Sequence, residues 1–280
     1  MNNIAYIVLL ALFLISCKSE SFDIENLNGN RIDVLGHAGM GISDLYPSNS
    51  AESILNCLNI GATGTEVDVQ MTSDGVLVLF HDQTLEDKTS LQGVVHSKTW
   101  DEIKSAQYDQ IPYSNYSLVR LSDLFKNIEN PEQYTFSLDI KLYTETSDYN
   151  NFLNQYTDAL VELFSEFNLY NHVYLESHST EFISLTQAKS SNIDFYYYAH
   201  TFEEGFSKAL TFNLKGISIS SIAITENQIK EAHDAGLFVV IWNTQSKNEN
   251  IEAIHKQPDI IITDRVKYLV DLLTEQDLIN

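Results

Sequence analysis

Beyond residue 135 the chain alternates between two patterns. Short apolar runs rich in β-branched and aromatic residues lie at 135–142, 172–176, 195–200, 216–220, 238–243 and 259–263. Between and after them, apolar positions recur at helical spacing over 151–167, 181–189, 202–210, 226–235, 248–255 and 266–273. The first pattern fits buried strands and the second amphipathic helices. Repeated in this order, the two predict a parallel sheet with helices outside it. Upstream, 31–35 reads as a first strand ending at Gly36-His37-Ala38-Gly39. Ser48 to Ser50 can cap a helix with Ala51, Ile54, Leu55 and Leu58 on its apolar face, and 121–128 reads as a further helix.

The stretch 64–82 is different. Two β-runs meet at Ser73-Asp74-Gly75, a tight-turn signal, so they pair antiparallel. The second run is therefore an addition to the parallel set. The remaining strands begin near Ile32, Thr65, Phe136, Val173, Phe195, Gly216, Phe238 and Ile260, the eight that close an α/β TIM (β/α)8 barrel. Residues 83–117 are weakly patterned, apart from a short helix around Trp100, and read as a small insertion over one face. Polar residues ending the strand runs, namely His37, Lys141, Glu176, His200, Ser220, Asn243 and Asp264, then lie at the C-terminal face, where barrel active sites sit.

Charge narrows the function classes. Lys+Arg 16 against Asp+Glu 39 gives a net charge of −23. That argues against a nucleic-acid backbone as the partner and disfavours electrostatic adhesion to anionic lipid. Residues 7–15 are apolar but too few to span a bilayer, and Leu14-Ile15-Ser16-Cys17 follows them, resembling a bacterial lipoprotein box. We therefore expect a signal peptide at 1–16, lipidation of Cys17, a polar tether over 17–30 and one domain over 31–280. The expected location is the bacterial cell envelope, with the protein lipid-anchored to a membrane. Cys57, the other cysteine, falls in a helical stretch and reads as a small buried apolar residue.

Side chains alternate faces along a strand, so Glu66 and Asp68 point the same way, and the hairpin brings His81 and Asp82 level with them. Carboxylates of this kind suit a hard cation, and a histidine beside them can move protons near neutral pH. An amphipathic hairpin with a polar solvent face is the alternative. On the 135–142 strand, Asp139 and Lys141 share a face; alone, they are also compatible with an ordinary ion pair. His178 and His200 follow strand runs and are further candidates to reach the site.

With His37-Ala38-Gly39, Glu66-Val67-Asp68, His81-Asp82, Asp139-Ile140-Lys141 and Val240-Ile241-Trp242-Asn243 in this order, the chain resembles the glycerophosphodiester phosphodiesterase family over about residues 31–273. The resemblance implies a TIM barrel that uses a divalent cation, Ca²⁺ or Mg²⁺. Such enzymes hydrolyse a small-molecule glycerophosphodiester to glycerol 3-phosphate and an alcohol. It further implies His37 and His81 as the acid/base pair, and Glu66, Asp68 and Asp139 as metal ligands. Lys141 would approach the phosphate and Trp242 would stand at the pocket wall. The chain departs from the family pattern at four places. Ala38 stands for the usual arginine, Pro47-Ser48-Asn49-Ser50 for Pro-Glu-Asn-Thr, Asp139 for a glutamate and Asn243 for a threonine. Those departures keep two other functions in view: a lipid-tethered binding protein without turnover, and an enzyme for a related phosphodiester such as a lysophospholipid.

Overall fold

The computed structural model describes residues 21–43, 45–109, 112–113 and 115–280. The expected leader and Cys17 lie outside the described residues. In chain order the strands are β1 (Asp33–Gly36), β2 (Gly64–Met71), β3 (Leu77–Leu79), β4 (Val119–Arg120), β5 (Thr135–Ile140), β6 (Val173–Ser177), β7 (Asp194–Ala199), β8 (Gly216–Ser220), β9 (Phe238–Thr244) and β10 (Ile260–Thr263). The helices are α1 (Ala51–Asn59), α2 (Trp100–Ile103), α3 (Leu121–Asn127), α4 (Tyr149–Phe167), α5 (Thr180–Lys189), α6 (Phe202–Thr211), α7 (Glu226–Asp234), α8 (Lys247–His255) and α9 (Val266–Thr274).

Eight strands pair in parallel in the order β1-β10-β9-β8-β7-β6-β5-β2, and β1 pairs with β2 to close the ring. This is the expected TIM barrel, and each expected strand start falls within one residue of an observed strand. Pleating sorts the side chains. In β5, Phe136, Leu138 and Ile140 join the large core between strands and helices, while Ser137 and Asp139 alternate to the other face. Leu35, Tyr174, Tyr196, Val240, Ile260 and Ile262 form a second apolar cluster from the opposite set of positions. That cluster fills the barrel interior, so the polar groups gather above it at the strand C-termini.

The hairpin turns where expected. β3 runs antiparallel to the end of β2, with Val69 opposite Leu79 and Met71 opposite Leu77. Gly75 takes a φ of +82°, open to glycine at little steric cost. Thr72 Oγ1 donates to Asp74 Oδ1 at 2.6 Å, and Asp74 also accepts from Trp100 N at 3.0 Å, tying the turn to the insertion. The insertion has its own small core, in which Leu85, Val95, Ile103, Ala106, Tyr108 and Leu118 pack on Val78 and Phe80 of the hairpin. Periodicity missed this core because it is built from 3-10 turns and isolated residues.

Residues 22–28, placed within the expected tether, are docked across the end of the barrel remote from the strand C-termini. Phe22 N donates to Gln276 Oε1 at 3.1 Å, Leu27 N donates to Asp259 Oδ1 at 2.8 Å, and Ile24 is buried. Asn26 Nδ2 donates to the carbonyls of Arg31 and Pro258. Among the described residues no helix is long and apolar enough to cross a membrane. Cys57 is buried and unpaired, as expected.

Candidate active site

Strand register assembles the acidic cluster. Asp68 is the lateral partner of Asp139, and Asp139 of Glu176, so β2, β5 and β6 carry three carboxylates in one row. Glu66 lies on the same face of β2, two residues earlier. Glu66, Asp68 and Asp139 each offer a carboxylate oxygen, and these atoms lie within 4.8 Å of one another. The expected ligand set therefore forms a single cluster from two strands, and an all-oxygen donor set of this kind fits a hard divalent cation.

Each acid is held by neighbours. Ala38 N donates to Glu66 Oε2 at 2.9 Å. Asn49 clamps Asp68 on two sides, with Nδ2 donating to Oδ2 at 2.7 Å and Oδ1 accepting from Asp68 N at 3.0 Å. Lys141 Nζ stands 3.0 Å from Asp68 Oδ1 and 2.6 Å from Asp139 Oδ2. It thus lies directly on two of the three acids.

The electrostatics follow from burial and crowding. Burial, then the Asp68 charge, push the Glu66 carboxyl well above the usual range, against the pull of His37. Burial likewise raises Asp139; Lys141 opposes this and Asp68 reinforces it. For Asp68, burial is outweighed by Lys141 and His81, so its carboxyl sits below the usual range. Burial opposes the Lys141 charge, but Asp68 and Asp139 hold the ammonium firmly protonated. One lysine does not satisfy three carboxylates, and the strain falls on Glu66. A bound cation would relieve that like-charge repulsion, so the cluster fits a metal on its own electrostatics.

The two histidines stand at this cluster on separate loops. His37 follows β1, and its Nδ1 is 2.7 Å from Asp264 Oδ1 on the loop after β10. Close packing makes that pairing possible: Gly41 has a φ of +66°, and a Cβ there would lie 2.4 Å from Asp264 Cα. Partial desolvation lowers the half-exposed His37 imidazole, but the hydrogen bond to Asp264 and the field of Glu66 outweigh it and carry the group up to about 9. His81 follows β3, and its Nδ1 is 2.8 Å from Asp82 Oδ1. Gln70 fixes this loop by donating from Nε2 to the carbonyls of Phe80 and Asp82. In both histidines the ring nitrogen left over is Nε2.

His37, Glu66, Asp68, His81, Asp139, Lys141 and Trp242 all line one cavity of about 210 Å³ at the strand C-termini. Its wall includes Trp242 stacked on Tyr198, with ring centroids 5.2 Å apart and planes 14° from parallel. Asn243, at a φ of +66°, reaches Ser220 Oγ at 3.4 Å. His178 and His200 are exposed and do not line the cavity. Sequence reasoning missed the roles of Asp264, Asp82 and Asn49, and gave Glu176 only a place at a strand end. Glu176 is buried at the cavity and accepts from Ser137 Oγ at 2.5 Å. Burial, then Asp139, push its carboxyl up to about 7.

The glycerophosphoryl diester phosphodiesterase family profile matches residues 40–268. An uncharacterized Bacillus subtilis protein is 28% identical over 161 residues, a match that covers 56% of this chain and 63% of that relative. The glycerophosphodiester phosphodiesterase of Caldanaerobacter subterraneus is 23% identical over 237 residues, covering 84% of this chain and 96% of that enzyme. An Oleispira antarctica phosphodiesterase, solved in complex with the product sn-glycerol-3-phosphate, superposes with a TM-score of 0.74 at 17% identity and covers 87% of this chain and 97% of its own. The barrel, the row of acids above it and the profile match over most of the chain lead to one conclusion: the chain belongs to the glycerophosphoryl diester phosphodiesterase family.

Proposed function

We propose that the protein is a divalent-cation-dependent phosphodiesterase that hydrolyses glycerophosphodiesters to glycerol 3-phosphate and an alcohol, with His37 and His81 moving the protons. The observation that carries this reading is the pair of imidazoles on one cavity, each held at Nδ1 by a carboxylate beside the acidic cluster. A carboxylate at Nδ1 fixes the ring and leaves Nε2 for proton transfer. His37, carried up to about 9, is an imidazolium at neutral pH and suits the donor to the leaving alkoxide. His81 then takes the proton of the nucleophile, either water or an adjacent substrate hydroxyl. Lys141 supplies fixed positive charge where Ala38 provides none. A divalent cation on Glu66, Asp68 and Asp139, Ca²⁺ or Mg²⁺ by donor type, would polarise a phosphoryl oxygen and offset transition-state charge. Lipid attachment at Cys17 and a place in the cell envelope are proposed on the sequence alone.

Chelation with EDTA abolishes diester hydrolysis, and it does so more steeply than in relatives that carry the arginine missing at Ala38. Unchanged turnover in EDTA contradicts the cation's part. A histidine is protonated below its pKa, so the donor form of His37 is lost as pH rises through about 9. Where a bound cation cancels the field of Glu66, that alkaline limb of kcat lies lower. Asp264→Asn removes a charge-assisted hydrogen bond worth about 1.5–3 kcal/mol, which is about one to two pH units. The limb should move down by about that much, as read from pH–rate profiles. A limb that stays in place would show that His37 is not the donor.

A further inference from the structure

A second cleft, about 440 Å³, opens beside the central cavity between the insertion and the loop after β1. His37, Asp68 and His81 belong to both walls. The two compartments therefore meet at the histidines, where the reacting phosphate must lie. Glycerol phosphate suits the smaller, polar compartment. The other arm of the diester then extends into the larger one.

The lining decides what that arm is. Ile42, Tyr46, Pro47, Phe80, Tyr108 and Tyr113 give it an apolar and aromatic wall. The polar tips of two of these tyrosines are used elsewhere: Tyr108 Oη donates to Ser48 O at 3.0 Å, and Tyr113 Oη donates to Ser43 O. Their ring bodies are what remains for a ligand. A quaternary ammonium fits poorly despite the aromatic rings. Lys88 lines the cleft and repels a cation. Of the carboxylates there, Asp68 is engaged by Asn49 and Lys141, and Asp82 bonds His81 through Oδ1 while its Oδ2 is buried, 3.9 Å from Lys88 Nζ. Ala38, small and buried, leaves the floor open.

We infer that this cleft binds an apolar leaving alcohol, so that the preferred substrate is a glycerophosphodiester whose second arm is an alkyl or aryl group rather than choline. This rests on the hydrolase reading above. Hydrolysis adds one water, breaks the P–O bond to that alcohol and returns the alcohol protonated.

The test compares glycerophospho-octanol, below its micellar concentration, with glycerophosphoethanol and glycerophosphocholine. Burial of a methylene is worth roughly fourfold, so even partial burial of six more gives the octyl ester a kcat/KM ~30-fold or more above the ethyl ester. Calorimetry of octyl phosphate against ethyl phosphate should show the same order in affinity. Ser48→Trp, at an exposed lining residue outside the catalytic groups, fills the cleft. It should remove at least ~tenfold of the octyl advantage and leave the ethyl ester within about twofold. Equal kcat/KM for octyl and ethyl esters overturns the inference. So does a preference for choline over octyl, or an equal loss of both esters in Ser48→Trp. If no diester is cleaved yet octyl phosphate binds tightly in wild type and weakly in Ser48→Trp, the hydrolase reading fails while the cleft assignment stands.

Discussion

His81→Ala should lower kcat for glycerophosphocholine by about 10³, within the usual range for one acid–base group, with KM changed only a few-fold. The imidazole is 57% exposed and bonded through Asp82, so its removal leaves no cavity in the core. The thermal midpoint should therefore stay within a few degrees of wild type. Loss of activity together with loss of folding would point to a structural histidine. Steady-state kinetics and a melting curve on the same preparation separate the two outcomes.

The second large effect is expected at Glu66. Its carboxyl is pushed well above the usual range by burial and by Asp68. The sign follows from linkage. The folded state holds the Glu66 proton more tightly than the unfolded chain, so stability falls as pH rises from the unfolded pKa towards the folded one. At neutral pH a charge at Glu66 therefore opposes folding. Glu66→Gln keeps an acceptor for the Ala38 N–H and removes that opposition. The metal-free variant should melt at or above the wild-type temperature. The same change deletes a cation ligand, so the melting shift with Ca²⁺ or Mg²⁺ should vanish. Hydrolysis should fall by about 10² or more, since metal stabilisation of the transition state is worth several kcal/mol. A variant that melts lower in the absence of metal and keeps its cation response would contradict both parts.

The barrel was legible because its signals are local. Each strand–helix pair carries its own periodicity, and Ser50, Ser179, Thr201, Thr225 and Ser246 cap the helices that follow them. Glu66, Asp68, His81, Asp139 and Lys141 were legible for a related reason, since alternation along two strands and one turn sets their direction. The orienting groups were not. Asp264 meets His37 across 227 residues, and only closure of β10 onto β1 brings them together. Asn49 reads as an ordinary loop residue, yet at a φ of +65° its side chain grips Asp68 at two atoms. The segment ahead of β1 misled for the opposite reason. Its Asn and Glu content suggests a free linker, but Asn26 binds two backbone carbonyls and Ile24 enters the core. The large cleft was also invisible, because it depends on two tyrosines of a weakly patterned insertion reaching the carbonyls of Ser43 and Ser48.

His37 and His81, beside the carboxylate cluster, are the groups proposed to carry out diester hydrolysis. The direct measurement is glycerol 3-phosphate released from glycerophosphoethanol with Ca²⁺ or Mg²⁺ present, by wild type and by a folded His37→Ala/His81→Ala double variant. Release by wild type, abolished by EDTA and reduced to background in the double variant, is the predicted result. Equal slow release by both proteins would contradict the account and leave a barrel that binds its ligand without turning it over.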